Sequence, residues 1–329
     1  MRYLFALPFY FCISILFVQG QEGSPFRFEE ISEQSIRLSE NAQPVWVYNF
    51  GAITRENLPD TEKRRTRACY IHPLYGLRGE VLTDDFPADH YHHHGIFWTW
   101  PHVGIHQPNG QVNQYSLWED IGGLKQKFVR WKERTTDGKS ATLSVENGWF
   151  VGDEKVMIEN VTIRTFAKKD EFNQKTRVID LEFLWIPTDK PITLQGAEEK
   201  SYGGLTIRFR PQTNRPEGER ITTITVPGGV AEGDLPETPL PWADMTSRFG
   251  TDEHRSGAAI FIPPTHPDFP PTWLTRYYGP LCVGWPGVQE RTFQPNEEIR
   301  LSYRIWVHES EVSTEQIQEA YDGQMKNEK

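Results

Sequence analysis

Ile299-Arg300-Leu301-Ser302-Tyr303-Arg304-Ile305-Trp306-Val307-His308 is the stretch whose pattern decides the fold. Ile299, Leu301, Tyr303, Ile305 and Val307 alternate with Arg300, Ser302, Arg304, Trp306 and His308, the period of two that marks a half-buried strand. Residues 178–186 repeat it, with Ile179, Leu181, Phe183 and Trp185 opposed to Asp180 and Glu182, two carboxylates expected to be solvated. Further out, the same signal predicts strands at 44–49, 69–74, 95–101, 124–133, 140–150, 155–167, 203–210, 220–227, 257–262 and 281–285. Asp137-Gly138, Gly152-Asp153, Asp189-Lys190-Pro191, Gly228-Gly229 and Gly287 separate them as turns. Helical pattern is confined to the end. Ser313 and Gln316 have the capping-box spacing, and Gly323 predicts the stop of a helix over 314–322. The Pro-rich stretches 234–241 and 263–271 carry neither pattern and are expected as ordered loops. The expectation is an all-β protein: a large antiparallel β-sandwich with a short C-terminal helix.

Composition narrows the function classes. Of 329 residues, 35 are Lys or Arg and 45 Asp or Glu, a net charge of −10. No basic surplus exists to neutralise phosphates, which excludes a nucleic-acid partner. A mean hydropathy of −0.59 excludes a polytopic membrane protein, and 13% aromatic residues exclude a disordered chain. Met1-Arg2, the apolar run 3–18 and Val18-Gln19-Gly20 have the form of a secretory signal peptide cleaved after Gly20. The expected location is periplasmic or extracellular. An uncleaved anchor is the alternative, although a span needs roughly 20 apolar residues. Residues 21–329 show no composition break or repeat and are expected as one sandwich domain. Cys69 and Cys282 sit in apolar surroundings and are expected as buried thiols rather than a disulfide.

Three clusters can carry chemistry. The first, Asp84-Asp85-Phe86-Pro87-Ala88-Asp89-His90-Tyr91-His92-His93-His94-Gly95, holds four of the ten histidines. If extended, it places His90, His92 and His94 on one face, a set suited to a divalent metal ion. Proton transfer by His93 or His90, oriented by Asp89, is the second use. Packing with neighbouring aromatics is the third. The second cluster, 198–208, offers Tyr202 and Arg208, whose planar fork suits a carboxylate or sugar hydroxyls. The alternative for Arg208 is a salt bridge. The third cluster, 265–279, presents His266, Trp273, Arg276 and Tyr277 on a Pro-rich loop, either as a sugar-binding wall or as a cap over a sheet end. No phosphate-binding Gly loop, G-x-S-x-G, H-E-x-x-H or C-x-x-C occurs. No cofactor is expected beyond that metal ion.

Taken together, Tyr70-Ile71-His72-Pro73, Thr83-Asp84-Asp85-Phe86-Pro87, Asp89-His90-Tyr91-His92-His93, Gly203-Gly204-Leu205-Thr206-Ile207-Arg208, Trp242-Ala243-Asp244 and the block from His266 to Gly279 resemble a bacterial family of unknown function. That family is commonly labelled methane oxygenase PmoA, and the resemblance runs through nearly all of residues 21–329. Arg is common in the family where this chain has His94, which leaves only His90 and His92 as family features of the metal face. A methane monooxygenase subunit spans a membrane several times, and residues 21–329 contain no spanning segment. Phe293 to Ile305 is similar to the last strands of galactose-mutarotase-like sandwiches. That resemblance implies a fold shared by sugar epimerases, lyases and glycosidases.

The expected function is that of an exported carbohydrate-active protein, an enzyme of hydrolase, lyase or epimerase type. His93, His90 and Asp89 would form the acid-base centre, with Tyr202 as a second proton-transfer group. Arg208, Arg276, Tyr277 and His266 would bind the sugar, and Trp98, Trp100 and Trp273 would stack on it. A glycosidase needs two carboxylates, for which Asp85, Asp89 and Asp244 are candidates. A glycan-binding protein without turnover and a His90/His92/His94 metal enzyme are the alternatives.

Overall fold

The computed structural model describes residues 23–59, 61–119, 122–212, 221–251 and 253–325, so the signal-peptide reading of residues 1–20 falls outside the described residues. The decisive stretch forms the strand Ile299–His308, paired antiparallel to Gln174–Pro187 on one side and Arg255–Phe261 on the other. It lies within a ten-stranded sheet. A nine-stranded sheet faces it, and a four-stranded sheet adds Val103, Ile105, Ile192 and Leu194 to the same core. The architecture is antiparallel β-sandwich with one helix, as the alternation predicts.

Inward residues of both large sheets form one apolar cluster. Hydrogen bonds cross it. Trp46 Nε1 donates to Thr165 Oγ1 at 2.8 Å, and the side chains of Tyr48 and Asn147 pair. The buried Arg177 and Glu40 form an ion pair between the sheets.

At the centre Glu159, fully buried, accepts five hydrogen bonds. Trp98 Nε1 and Asn147 Nδ2 reach Oε1, each at 2.9 Å. Gln126 Nε2, Trp149 Nε1 and Trp185 Nε1 reach Oε2 at 2.8, 2.8 and 2.9 Å. A buried carboxylate is tolerable only with such partners.

The inward row Ile299, Leu301, Tyr303, Ile305 and Val307 is buried as expected. Trp306 and His308, on the opposite row, are buried too. Trp306 is covered by the C-terminal helix Thr314–Met325, whose Ile317, Ala320, Tyr321 and Met325 pack on it and on Trp242, Ala259 and Phe261, while the His308 ring lies between Asp244 Oδ1 and the Ser310 carbonyl at 2.9 and 2.6 Å. The capping box of the helix forms: Ser313 N donates to Gln316 Oε1 at 2.9 Å and Gln316 N to Ser313 Oγ at 3.3 Å. Gly323 does not end it; the helix continues to Met325.

Three further expectations are corrected. Leu235–Pro239 is a strand paired with Thr272–Thr275, not a loop. Trp242–Arg248 is a strand that alternation did not mark. Asp180 is not a solvated carboxylate, because Arg304, directly opposite on the next strand, donates to both its oxygens at 2.6 and 2.9 Å. Cys69 and Cys282 are unpaired and buried, as expected. Among the described residues no helix is long and apolar enough to cross a membrane.

Candidate functional site

The site lies on the face of the nine-stranded sheet that points away from the main core. Period two sends Ile96 and Trp98 inward and Phe97 outward; likewise Leu205 and Ile207 go inward and Thr206 and Arg208 outward. A smaller cluster of Tyr70, Phe97, Trp118, Leu274 and Cys282 covers this outer face, with Tyr202 against it.

Onto it folds the histidine segment. Its ends are pinned by Asp84 N to Arg208 O at 2.9 Å, Gly95 N to Asp84 O at 2.7 Å and Arg208 N to Gly95 O at 2.7 Å. Gly95 has φ +23°, and a Cβ there would stand 2.0 Å from the Ile71 carbonyl oxygen, so only glycine fits this crossing.

Between its ends the segment is not extended. His90 N donates to Pro87 O and His93 N to His90 O, each at 2.9 Å, so the chain makes two tight turns. The expected single face of His90, His92 and His94 is therefore overturned. His90, His92 and His93 gather instead. The His90 and His93 rings stack at 4.6 Å, and His92 meets His93 edge-on at 4.7 Å.

His94 turns the other way, where its Nδ1 lies 2.9 Å from Asp85 Oδ1, and Tyr70 donates to Asp85 Oδ2 at 3.0 Å. Among the described residues no group of three or more His, Cys, Asp or Glu side chains has the geometry of a metal site.

Burial is the main cause of the electrostatics here. It holds His93 and His94 well below the ordinary histidine range and pulls His92 down to about 3 and His72 to about 4. These imidazoles are neutral. His93 is almost fully buried and does not line the adjoining cleft, which corrects its expected role as acid-base group.

That cleft, about 1960 Å³, opens beside the histidines. Asp84, Asp89, Arg208, Arg210 and Tyr278 stand on its wall. Arg208 Nη2 donates to both oxygens of Asp89 at 3.0 Å, and its guanidinium carbon lies 4.7 Å from the Tyr278 ring centroid. His90 stacks on the same ring at 5.2 Å. Arg208 is 4% exposed, and its Nε and Nη1 have no hydrogen-bond partner.

The two aspartates are pushed apart in acidity. Burial raises Asp84 above its ordinary value, against the opposing pull of the Asp85 N–H, Arg210 and Arg208. Burial would also raise Asp89, but His90 and Arg208 together outweigh it and hold Asp89 low. Burial also drives Asp85 to about 6 and the Tyr278 phenol to about 12.

Other expected site residues lie elsewhere. Trp98, Trp100 and Trp273 are 0% exposed and cannot stack on a sugar; their indole N–H groups are spent on Glu159, Trp285 O and Leu240 O. These tryptophans are core. His266 is buried near Tyr303, and Asp268 N donates to its Nδ1 at 3.2 Å. Arg276 is paired with Asp234 at 2.9 Å and Tyr277 bonds Ala231 O, although Tyr277 does line the cleft. Tyr202 packs 4.6 Å from Trp118, outside the cleft lining. Asp244, fully buried, is held by His308 Nε2 at 2.9 Å and accepts from Thr246, so it is no catalytic carboxylate of this site. Asp84 and Tyr278 lie inside the first and third clusters without being singled out there, and Arg210, two residues beyond the second, had no signal of its own.

Fold and site together define an antiparallel β-sandwich protein with an open polar cleft against one sheet. The chain belongs to a family of unknown function, DUF6807, whose profile matches residues 35–322. The resemblance to an uncharacterised family is thereby borne out. No curated protein matches. Among solved structures the chain is similar to a galactose mutarotase related enzyme from Lactobacillus acidophilus, at 8% identity and a TM-score of 0.40, covering 88% of this chain and 99% of that one.

Proposed function

We propose that this is a carbohydrate-active enzyme whose substrate lies in the cleft, with Asp84 as proton donor and Asp89 as the ionised partner. The observation that carries this reading is the divergent acidity of two aspartates on one cleft wall, the arrangement by which paired carboxyl groups divide acid and base roles. Arg208, anchored by Asp89, would orient the sugar and stabilise developing negative charge. The reaction class, whether hydrolysis, elimination or epimerisation, follows from the product. Incubation with a panel of polysaccharides, assayed for reducing ends and unsaturated sugars, is expected to give turnover that falls at least ~100-fold in Asp84→Asn. Unchanged turnover in a folded Asp84→Asn variant removes the assignment.

A glycan-binding protein without turnover is the second reading. It is favoured by Tyr278, an aromatic 41% exposed at the cleft. Binding of a glycan with no product formed would select it. Residues 1–20 support export, so the glycan would be met outside the cytoplasm; N-terminal sequencing of the exported protein should begin at Gln21.

A further inference from the structure

The chain carries ten more acidic than basic side chains, yet one wall of the cleft presents Arg55, Arg208 and Arg210. The backbone groups them. Arg210 N donates to Leu82 O at 2.9 Å and Asp84 N to Arg208 O at 2.9 Å, so residues 82–84 and 208–210 run side by side. Arg55 Nη2 donates to Asp85 O at 3.1 Å.

Asp84 and Asp85 share the lining with these arginines and feel their charges, Asp84 those of Arg208 and Arg210 and Asp85 that of Arg55, but neither forms an ion pair with them. Among the described residues, Asp89 is the one carboxylate at ion-pair distance from any of the three, and it takes only Nη2 of Arg208. Arg208 is buried with Nε and Nη1 unpartnered. Arg55 and Arg210 are exposed. Arg55 spends its charge on a backbone carbonyl and the Phe86 ring, 5.9 Å away.

Three further carboxylates of the lining, Glu232, Asp234 and Glu253, have partners of their own. Asp234 is held by Arg276 at 2.9 Å and by the Tyr277 N–H, and Glu253 pairs with Arg248 at 2.8 Å. Glu232 also interacts with a neighbour. The cleft therefore offers guanidinium N–H groups without a carboxylate at ion-pair distance among the described residues: Nε and Nη1 of the buried Arg208 and the exposed heads of Arg55 and Arg210.

We infer that the ligand is an acidic glycan, whose ring carboxylates dock on Arg55 and Arg210 while Arg208 holds the same sugar from beneath. The inference rests on the carbohydrate reading above and specifies its substrate class. Arginine suits the task because its planar fork pairs a carboxylate through two N–H bonds.

The test uses the purified full chain and calorimetric titration with tetragalacturonate, tetramannuronate and a hyaluronan tetrasaccharide. Each is offered as free acid and as methyl ester, beside neutral cello-, manno- and xylotetraose and a sulfated cellotetraose. At least one free acid should bind about tenfold tighter than its ester, with the gap narrowing at high salt. In the double variant Arg55→Gln/Arg210→Gln the acid should fall to the ester's affinity while the melting temperature stays unchanged, because both side chains are exposed.

Equal binding of acid and ester, or binding of neutral sugars alone, overturns the inference and leaves the carbohydrate reading standing. A preference for acid that persists in the double variant places the anion elsewhere and also overturns it. Equally tight binding of the sulfated sugar overturns the choice of carboxylate. Binding of no saccharide removes both the inference and the reading beneath it.

Discussion

At the scale of single residues, Glu159 shows how a charge can be built into an apolar core. Two oxygens receive five N–H groups, and the three indoles among them are satisfied only while the carboxylate stays. Glu159→Gln keeps the shape but aims an NH₂ at N–H donors. Unfolding in urea should show a loss of about 3–5 kcal/mol, the cost of breaking a buried charged pairing from one side. A loss below about 1 kcal/mol would show that the donors find other acceptors. The strand carrying Trp98 was legible, but its burial was not: Ile96-Phe97-Trp98 is apolar throughout, so the sequence does not say which face meets the core, and Trp98 is core rather than a sugar platform. The convergence on Glu159 was not legible either, since its donors come from strands up to 61 residues away and no local pattern encodes that meeting. Arg208 lies between these cases: its outward face follows from Thr206, but its pairing with Asp89, 119 residues earlier, required the fold.

Among elements, the contrast is between strands and the segments that decorate them. Cross-strand ladders follow period two, and the strands expected at 140–150 and 155–167 appear as Ser140–Val151 and Glu154–Phe166. The histidine segment fails that rule because Pro87 and His90 carbonyls capture N–H groups three residues on, turning an apparent strand into consecutive turns. The C-terminal helix has a different lesson. It converts Trp306 of the outer row into core, a residue that alternation within Ile299–His308 alone assigns to solvent. Ile317 is fully buried in that interface, so Ile317→Ala should cost about 2–5 kcal/mol in chemical denaturation. An unchanged midpoint would mean that the helix is dispensable to the sheet it covers.

For the whole molecule, the decisive quantity is the number of neutral histidines the fold encloses. His72 and His266 are lowered to about 4 and His92 to about 3, with His93 and His94 also held down, in each case mainly by burial. The unfolded chain binds protons at these sites near pH 6.5 while the folded chain does not. Their contribution is therefore complete above about 6.5 and lost as pH falls toward the folded values. Asp85, raised to about 6, and Asp84, raised in the same sense, act oppositely. Their contribution is present at low pH and lost as pH rises through about 6. Five groups oppose two, so stability should decline on acidification from about pH 6.5 to 4, by up to about 1.4 kcal/mol per pH unit for each net proton taken up. Urea midpoints measured across this range check it; a flat or rising profile on acidification contradicts the enclosed neutral imidazoles.

The tryptophans around Glu159 also have an optical consequence. Trp100 lies 5.4 Å from Trp149 and 5.3 Å from Trp185, ring centre to ring centre, at tilted and edge-on angles. Chromophores so close and so skewed share their electronic transitions, and the dichroism of such a set changes sign across the absorption band. That couplet reports on the seam between the two large sheets. A ligand entering the cleft on the far side of the nine-stranded sheet should leave it untouched, whereas loosening of the seam should erase it before the strands themselves melt.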